Sequence, residues 1–208
     1  MNHMDKIIVL LMMLTFSIPG LGEEGWAFAA PREKGIESAS LRQIWVRGKL
    51  KTRNGYLDSA LVIYGSHATS HVLGMSLYIG NVNALRSKHP AFPWDDFRMN
   101  AQNERQALLE VRVEGPEPYV AKFSGIVMRK CGLPDVDGSA LGFIAMAGDV
   151  PHQKMIKIIR KLVAGSEAVA VKIRASPYSK MSVEAAFPAG NPARDAARKL
   201  AEFCNLER

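Results

Sequence analysis

His67 and His71 stand four apart in Gly65-Ser66-His67-Ala68-Thr69-Ser70-His71. On a helix that spacing turns both imidazoles to one side, as a pair of metal ligands requires. The flanks read as loop and strand, and no third ligand stands at a recognisable spacing. The two therefore read as solvated loop histidines. Ser66 and Ser70 lack the G-x-S-x-G elbow that exposes a nucleophile. Asp95 and Asp96 are adjacent carboxylates. Paired acid–base work needs two carboxyls aimed at one bond, in environments that separate their pKa values. Neighbours in an extended loop point apart. Asp135-Val136-Asp137-Gly138-Ser139 opens like a calcium loop, but its twelfth position is Met146, where a bidentate Glu is needed. It reads as an Asp-Gly hairpin turn. No glycine-rich phosphate loop, H-E-x-x-H or kinase signature is present. The expectation is a non-catalytic protein with no metal and no cofactor. The rival is an envelope hydrolase using the His67/His71 or Asp95/Asp96 region.

The chain holds two cysteines, Cys131 and Cys204. An even count in an exported chain reads as one disulfide. Closing so long a loop stabilises by about 4 kcal/mol in the chain-entropy account. There is no C-x-x-C to indicate redox or metal work.

Export is read from the first residues. Ile7 to Phe16 is an apolar run, broken only by Thr15 and closed by Ser17, Pro19, Gly20 and Gly22. Ten residues at 1.5 Å rise cover about half of a ~30 Å hydrocarbon core, so the run is too short to span. Lys6 precedes it, and Ala27-Phe28-Ala29 places small residues at −3 and −1 of a cleavage site. The pattern is a secretory signal peptide over residues 1–29. Asp5 offsets Lys6, and Glu23, Glu24 and Trp26 lengthen the c-region, so cleavage after Gly22 is the fallback. No later apolar stretch reaches spanning length. The expected location is periplasmic or secreted.

Removing residues 1–29 leaves 26 basic and 17 acidic side chains, net +9. Residues 30–53 and 149–208 are each net +5, on a near-neutral middle. Basic ends favour an anionic partner: lipid head groups, cell-wall polymer or an acidic envelope protein. An exported chain with no nucleic-acid motif is not expected to bind nucleic acid.

The body over residues 30–208 reads as a single mostly-β domain. Ile44, Val46, Gly48 and Leu50 alternate with Trp45, Arg47 and Lys49, the period of a half-buried strand. Asn54-Gly55 is a strong hairpin signal. Leu57, Ser59, Leu61 and Ile63 form one face of the returning strand. Further alternating sets follow at Leu73–Ile79, Leu109–Val113, Tyr119–Met128, Val169–Ile173 and Val183–Phe187, with an apolar run at Leu141–Ala147. Residues 149–208 read as helix-strand-strand-helix. Asp149 caps a helix to Ala164, with Gly165 past its end. Asn191-Pro192 starts the last helix, with Asn191 as N-cap and Pro192 at N1. The fold class is mainly β (α+β): an antiparallel β-sandwich or curled sheet with two short C-terminal helices.

Two segments are candidates for contact. Residues 86–104 form a long connection holding Phe92, Trp94, Asp95-Asp96 and Phe97, and long connections are often functional. Lys154, Lys157, Arg160 and Lys161 line one side of the first helix, opposite Met155, Ile158, Ile159 and Leu162. No acidic residue between Asp149 and Glu167 relieves the four cations.

The stretch from Met155 to Cys204 carries Val169-Ala-Val-Lys-Ile-Arg, Ser176-Pro177-Tyr178, Val183-Glu-Ala-Ala-Phe187-Pro-Ala-Gly190 and an Ala-rich helix ending in Cys204. It resembles the C-terminal part of type VI secretion accessory proteins of the VasI/TagO kind. It is also similar in outline to invasion-associated locus B-like periplasmic proteins. The resemblance covers about fifty residues and no catalytic motif. It implies a disulfide-bonded, mostly β envelope protein acting through contacts. The expected function is a non-catalytic binding or accessory protein of the Gram-negative envelope, associated with a secretion system. A third reading is a protein inhibitor that uses the 86–104 loop.

Overall fold

The structure is a computed structural model. It describes residues 25–30, 32–33, 36–52, 55–66, 72–80, 98–99, 105–129, 141–145, 149–175 and 182–206. The strands are β1 (Ala27–Ala29), β2 (Arg32–Glu33), β3 (Ile36–Glu37), β4 (Leu41–Thr52), β5 (Gly55–Ser66), β6 (Val72–Ile79), β7 (Arg98–Met99), β8 (Arg105–Glu114), β9 (Tyr119–Arg129), β10 (Leu141–Ala145), β11 (Ala168–Arg174) and β12 (Val183–Pro188). The described helices are α1 (Asp149–Ala164), between β10 and β11, and α2 (Asn191–Phe203), after β12.

The sheet is antiparallel and curls until it meets itself. β4, β5 and β6 form a meander. β6 pairs with β10, and the chain runs back through β9 to β8. β8 pairs with β11, β11 with β12, and β12 returns to β4 at Lys49–Lys51. Closure of this kind removes open edges. The curled-sheet expectation holds, and the sandwich alternative does not. β4 pairs with β5 from Leu41↔Ser66 to Thr52↔Gly55, so Gly55 is the first residue of the returning strand, and Asn54 lies outside the described residues.

The period-two residues point inward. Ile44, Val46, Leu50, Leu61, Ile63, Met75, Leu77, Leu109, Val111, Val169, Val171 and Phe187 are all buried in one core with the apolar stripes of both helices. α1 packs on α2 and against β6, β8 and β9; α2 packs against β1, β4 and β5. Burying these branched and aromatic side chains contributes on the order of 1.5–3 kcal/mol each before entropy is counted. Gly165 ends α1 with φ 104°, and the Arg194 guanidinium packs where a Cβ would project. That pins α2 to the end of α1. Gly190, not Asn191, occupies the N-cap of α2, and no side chain caps it. Pro192 therefore sits at N2, one position past the expected N1 but still within the first turn.

The seam between β4 and β12 has a second closure. β1 pairs with Gln43–Trp45 on the same edge of β4 that β12 uses at Lys49–Lys51. Trp26, buried in the core just before β1, donates its Nε1–H to the Pro188 carbonyl at 2.6 Å.

The outer face divides in two. Around Trp45 of β4 and the facing parts of β5 and β6 it is buried: Trp45, Ala60, Val62, Tyr64 and Tyr78 form a second cluster. Burial pushes the Tyr64 hydroxyl up to about 12, against a hydrogen bond with Ser76 that pulls the other way. Gln43 is fully buried, and its amide and the Trp45 Nε1 have no hydrogen-bond partner among the described residues. Over β9, β8, β11, β12 and β4 the outer face is charged. One register row reads Lys122, Glu110, Lys172, Glu184, Lys51, with signs alternating strand by strand. Opposite charges directly across strands support this register over its neighbours.

Candidate functional site

The basic side of α1 is the expected contact residue set that falls among the described residues. Met155, Ile158, Ile159 and Leu162 are fully buried, so the helix has one orientation on the sheet. That orientation sends the four cations to different surroundings. Lys154 Nζ donates to the Lys122 carbonyl at 2.8 Å and lies 5.7 Å from the centre of the Phe123 ring. Its ammonium is held on β9. Lys161 Nζ donates to Glu117 Oε2 at 2.7 Å. Arg160 is exposed, and Nη2 reaches the Leu206 carbonyl at 3.4 Å, beyond the end of α2. Lys157 is exposed, with no ion pair or hydrogen bond among the described residues.

This corrects the sequence expectation of four unrelieved cations. Glu117 lies at the Gly115-Pro116-Glu117-Pro118 turn between β8 and β9, 44 positions from Lys161. The Lys161 hydrogen bond, reinforced by its charge, holds the Glu117 carboxyl below the usual carboxylate range. No local pattern in the sequence joins these two residues. The only signal was an acidic residue on a rigid Pro-flanked turn.

A cleft of about 270 Å³ lies between this turn and the end of α1. Glu114, Gly115, Glu117, Lys161, Gly165 and Ser166 line it. Glu114 is itself paired with Arg112 at 2.6 Å. Ser166 is buried, and its hydroxyl has no partner among the described residues. Both signs of charge meet at this cleft, and two of its charged groups already neutralise one another. It has the character of a joint between turn and helix.

The remaining expected residues are distributed as follows. His67, His71, Phe92, Trp94, Asp95, Asp96, Phe97 and Cys131 lie outside the described residues. Cys204 is buried at the end of α2 and carries a free thiol in the structure, so the expected Cys131–Cys204 bridge is not seen. Burial raises that thiol to about 11. Among the described residues, no three His, Cys, Asp or Glu side chains gather as a metal site. Among them also, no helix is long and apolar enough to cross a membrane.

Of the four cations, Lys157 and Arg160 are the exposed pair, on a helix whose flanking lysines are tied to the sheet and its turn. Such a set can attract an anionic surface, and it holds no nucleophile or acid–base pair. No family model, curated protein or solved structure matches this chain.

Proposed function

We propose that this protein is a non-catalytic exported binding or accessory protein of the Gram-negative cell envelope. It docks on an anionic surface, lipid or cell-wall polymer, or on an acidic envelope protein. The observation that carries this reading is the division of α1. Its apolar stripe is consumed by the core, while Lys157 and Arg160 face outward beside the held Lys154 and Lys161. A secretion-system association and a Cys131–Cys204 bridge belong to the same reading, supported by the C-terminal resemblance and the even cysteine count. The hydrolase and inhibitor readings rest on residues outside those described and gain no support from the geometry.

Each exposed cation contributes on the order of 1 kcal/mol near an anionic membrane surface. The test is retention on vesicles containing phosphatidylglycerol against vesicles of phosphatidylcholine alone. Lys157→Glu with Arg160→Glu is expected to abolish retention with folding intact. Adding Lys154→Glu and Lys161→Glu adds less per residue, because those ammoniums already have partners. Retention falls as salt rises, since the Debye length shortens from about 10 Å at 0.1 M to about 3 Å at 1 M. Retention unchanged in the double variant at low salt assigns these residues to solubility alone.

A further inference from the structure

We infer that the leader is removed after Gly22, so that residues 23–29 stay with the mature protein and complete its sheet. The inference rests on the export reading above. Trp26 is 7% exposed and belongs to the main core. Its hydrogen bond to the Pro188 carbonyl sits where β12 ends and the chain turns towards α2. Ala27–Ala29 then pair with Gln43–Trp45, the part of the β4 edge that β12 does not reach. α2 packs against β1, and Gly25 lies beside Pro192 in the first turn of α2. A cut after Ala29 would discard the indole, the strand and both helix contacts. The product would carry an unfilled place in its core and a bare stretch of β4 edge.

The residues upstream fit the alternative cut. Leader peptidases take small residues at −3 and −1, shortly after the apolar run. Gly20 and Gly22 occupy those positions for a cut after Gly22, and Ser17–Gly22 is then a short segment directly following Phe16. A cut after Ala29 places Glu23, Glu24 and Trp26 inside the segment the peptidase must thread. The step is a hydrolysis by a membrane-bound leader peptidase. The Gly22–Glu23 amide bond breaks, the hydroxyl of one water joins the Gly22 carbonyl carbon, and its proton goes to the new Glu23 amine. Leader removal accompanies export and precedes folding, so the peptidase reads sequence. The fold identifies which product retains a closed seam. With Glu23 and Glu24 kept, the mature chain is net +7 rather than +9.

The test expresses the full-length precursor in a Gram-negative host and reads the periplasmic product by N-terminal sequencing and intact mass. The expected first residue is Glu23. A product beginning at Ala30 overturns the inference and leaves export standing. A product retaining Met1 overturns the inference and the export reading together. Two variants separate the sites without requiring a folded product. Gly20→Leu with Gly22→Leu is expected to abolish the Glu23 start. Ala27→Leu with Ala29→Leu is expected to leave it unchanged. The reverse pattern, with processing lost only in the second variant, overturns the inference.

Discussion

Trp26 and Pro188 stand 162 positions apart, and a 2.6 Å hydrogen bond from the indole nitrogen to the proline carbonyl joins them. The bond links the start of the described chain to the end of the last strand. It lies beside the shortest pairing in the ring, where β12 meets β4 at only Lys49–Lys51.

Trp26→Ala is therefore expected to destabilise well beyond a typical terminal substitution. Truncating a buried Trp costs about 3–5 kcal/mol. At about 2–4 °C per kcal/mol for a domain of this size, the melting midpoint falls by roughly 10 °C. Trp26→Phe keeps most of the volume and loses the donor, so it falls by less. Thermal unfolding followed by circular dichroism checks both. An unchanged midpoint in Trp26→Ala would show that the indole is not part of the seam.

Gly48 faces inward on β4, under the Phe187 ring and against the Ala186 carbonyl. A Cβ there would sit well inside contact distance of both. Gly48→Ala is expected to cost about 1–3 kcal/mol, as overpacking does. Phe187→Leu in the same chain will not restore stability, because the Ala186 oxygen is backbone and cannot turn aside. Urea denaturation of the two variants measures this, and rescue by Phe187→Leu would place the conflict on the ring alone.

Glu117 titrates below the ordinary carboxylate range because Lys161 donates to it. A carboxyl depressed in the folded state adds stability above its unfolded pKa. That contribution disappears as pH falls through the folded value. The side-chain carbon resonance of Glu117 should titrate at lower pH than in a Lys161→Gln variant. The pair is exposed, with side-chain accessibility of 31% and 85%, so its effect on global stability is small. Coincident titrations in the two proteins would mean that the contact does not persist in solution.

Cys204 is buried, and its thiol is raised to about 11, so little thiolate forms at neutral pH. A chromogenic disulfide reagent is expected to leave it unmodified in the native protein. Unfolding without reductant then separates two states. Two thiols per chain report free Cys131 and Cys204. None, with a mass gain of two hydrogens on reduction, reports the bridge.

The inward faces were legible because burial of one face imposes a period of two. Ile44, Val46 and Leu50, or Val169, Val171 and Ile173, announce their side of the sheet directly. The helix at Asp149–Ala164 and the antiparallel pairing of β4 with β5 were legible for the same local reasons. Trp45 shares its side of the strand with Arg47 and Lys49, yet it is buried with Val62, Tyr64 and Tyr78. Alternation marks two faces but does not say that both are covered. The near-continuous run Ala60–Tyr64 was the available sign. Strand order was also hidden, because β6 meets β10 and β8 meets β11 across long stretches of chain. The Lys161–Glu117 pair follows from that order and could not be found without it. Asn191 is the better capping residue by side-chain chemistry, but the turn after Pro188 places Gly190 in the cap.

β4 holds β5 from Leu41 to Thr52 but holds β12 only over Lys49–Lys51. Local opening begins where the fewest interactions must be lost. The amides of this short pairing are therefore the first in the ring to trade hydrogen for solvent deuterium. A molecule parted there presents two complementary antiparallel edges, and these match another copy as well as they match each other.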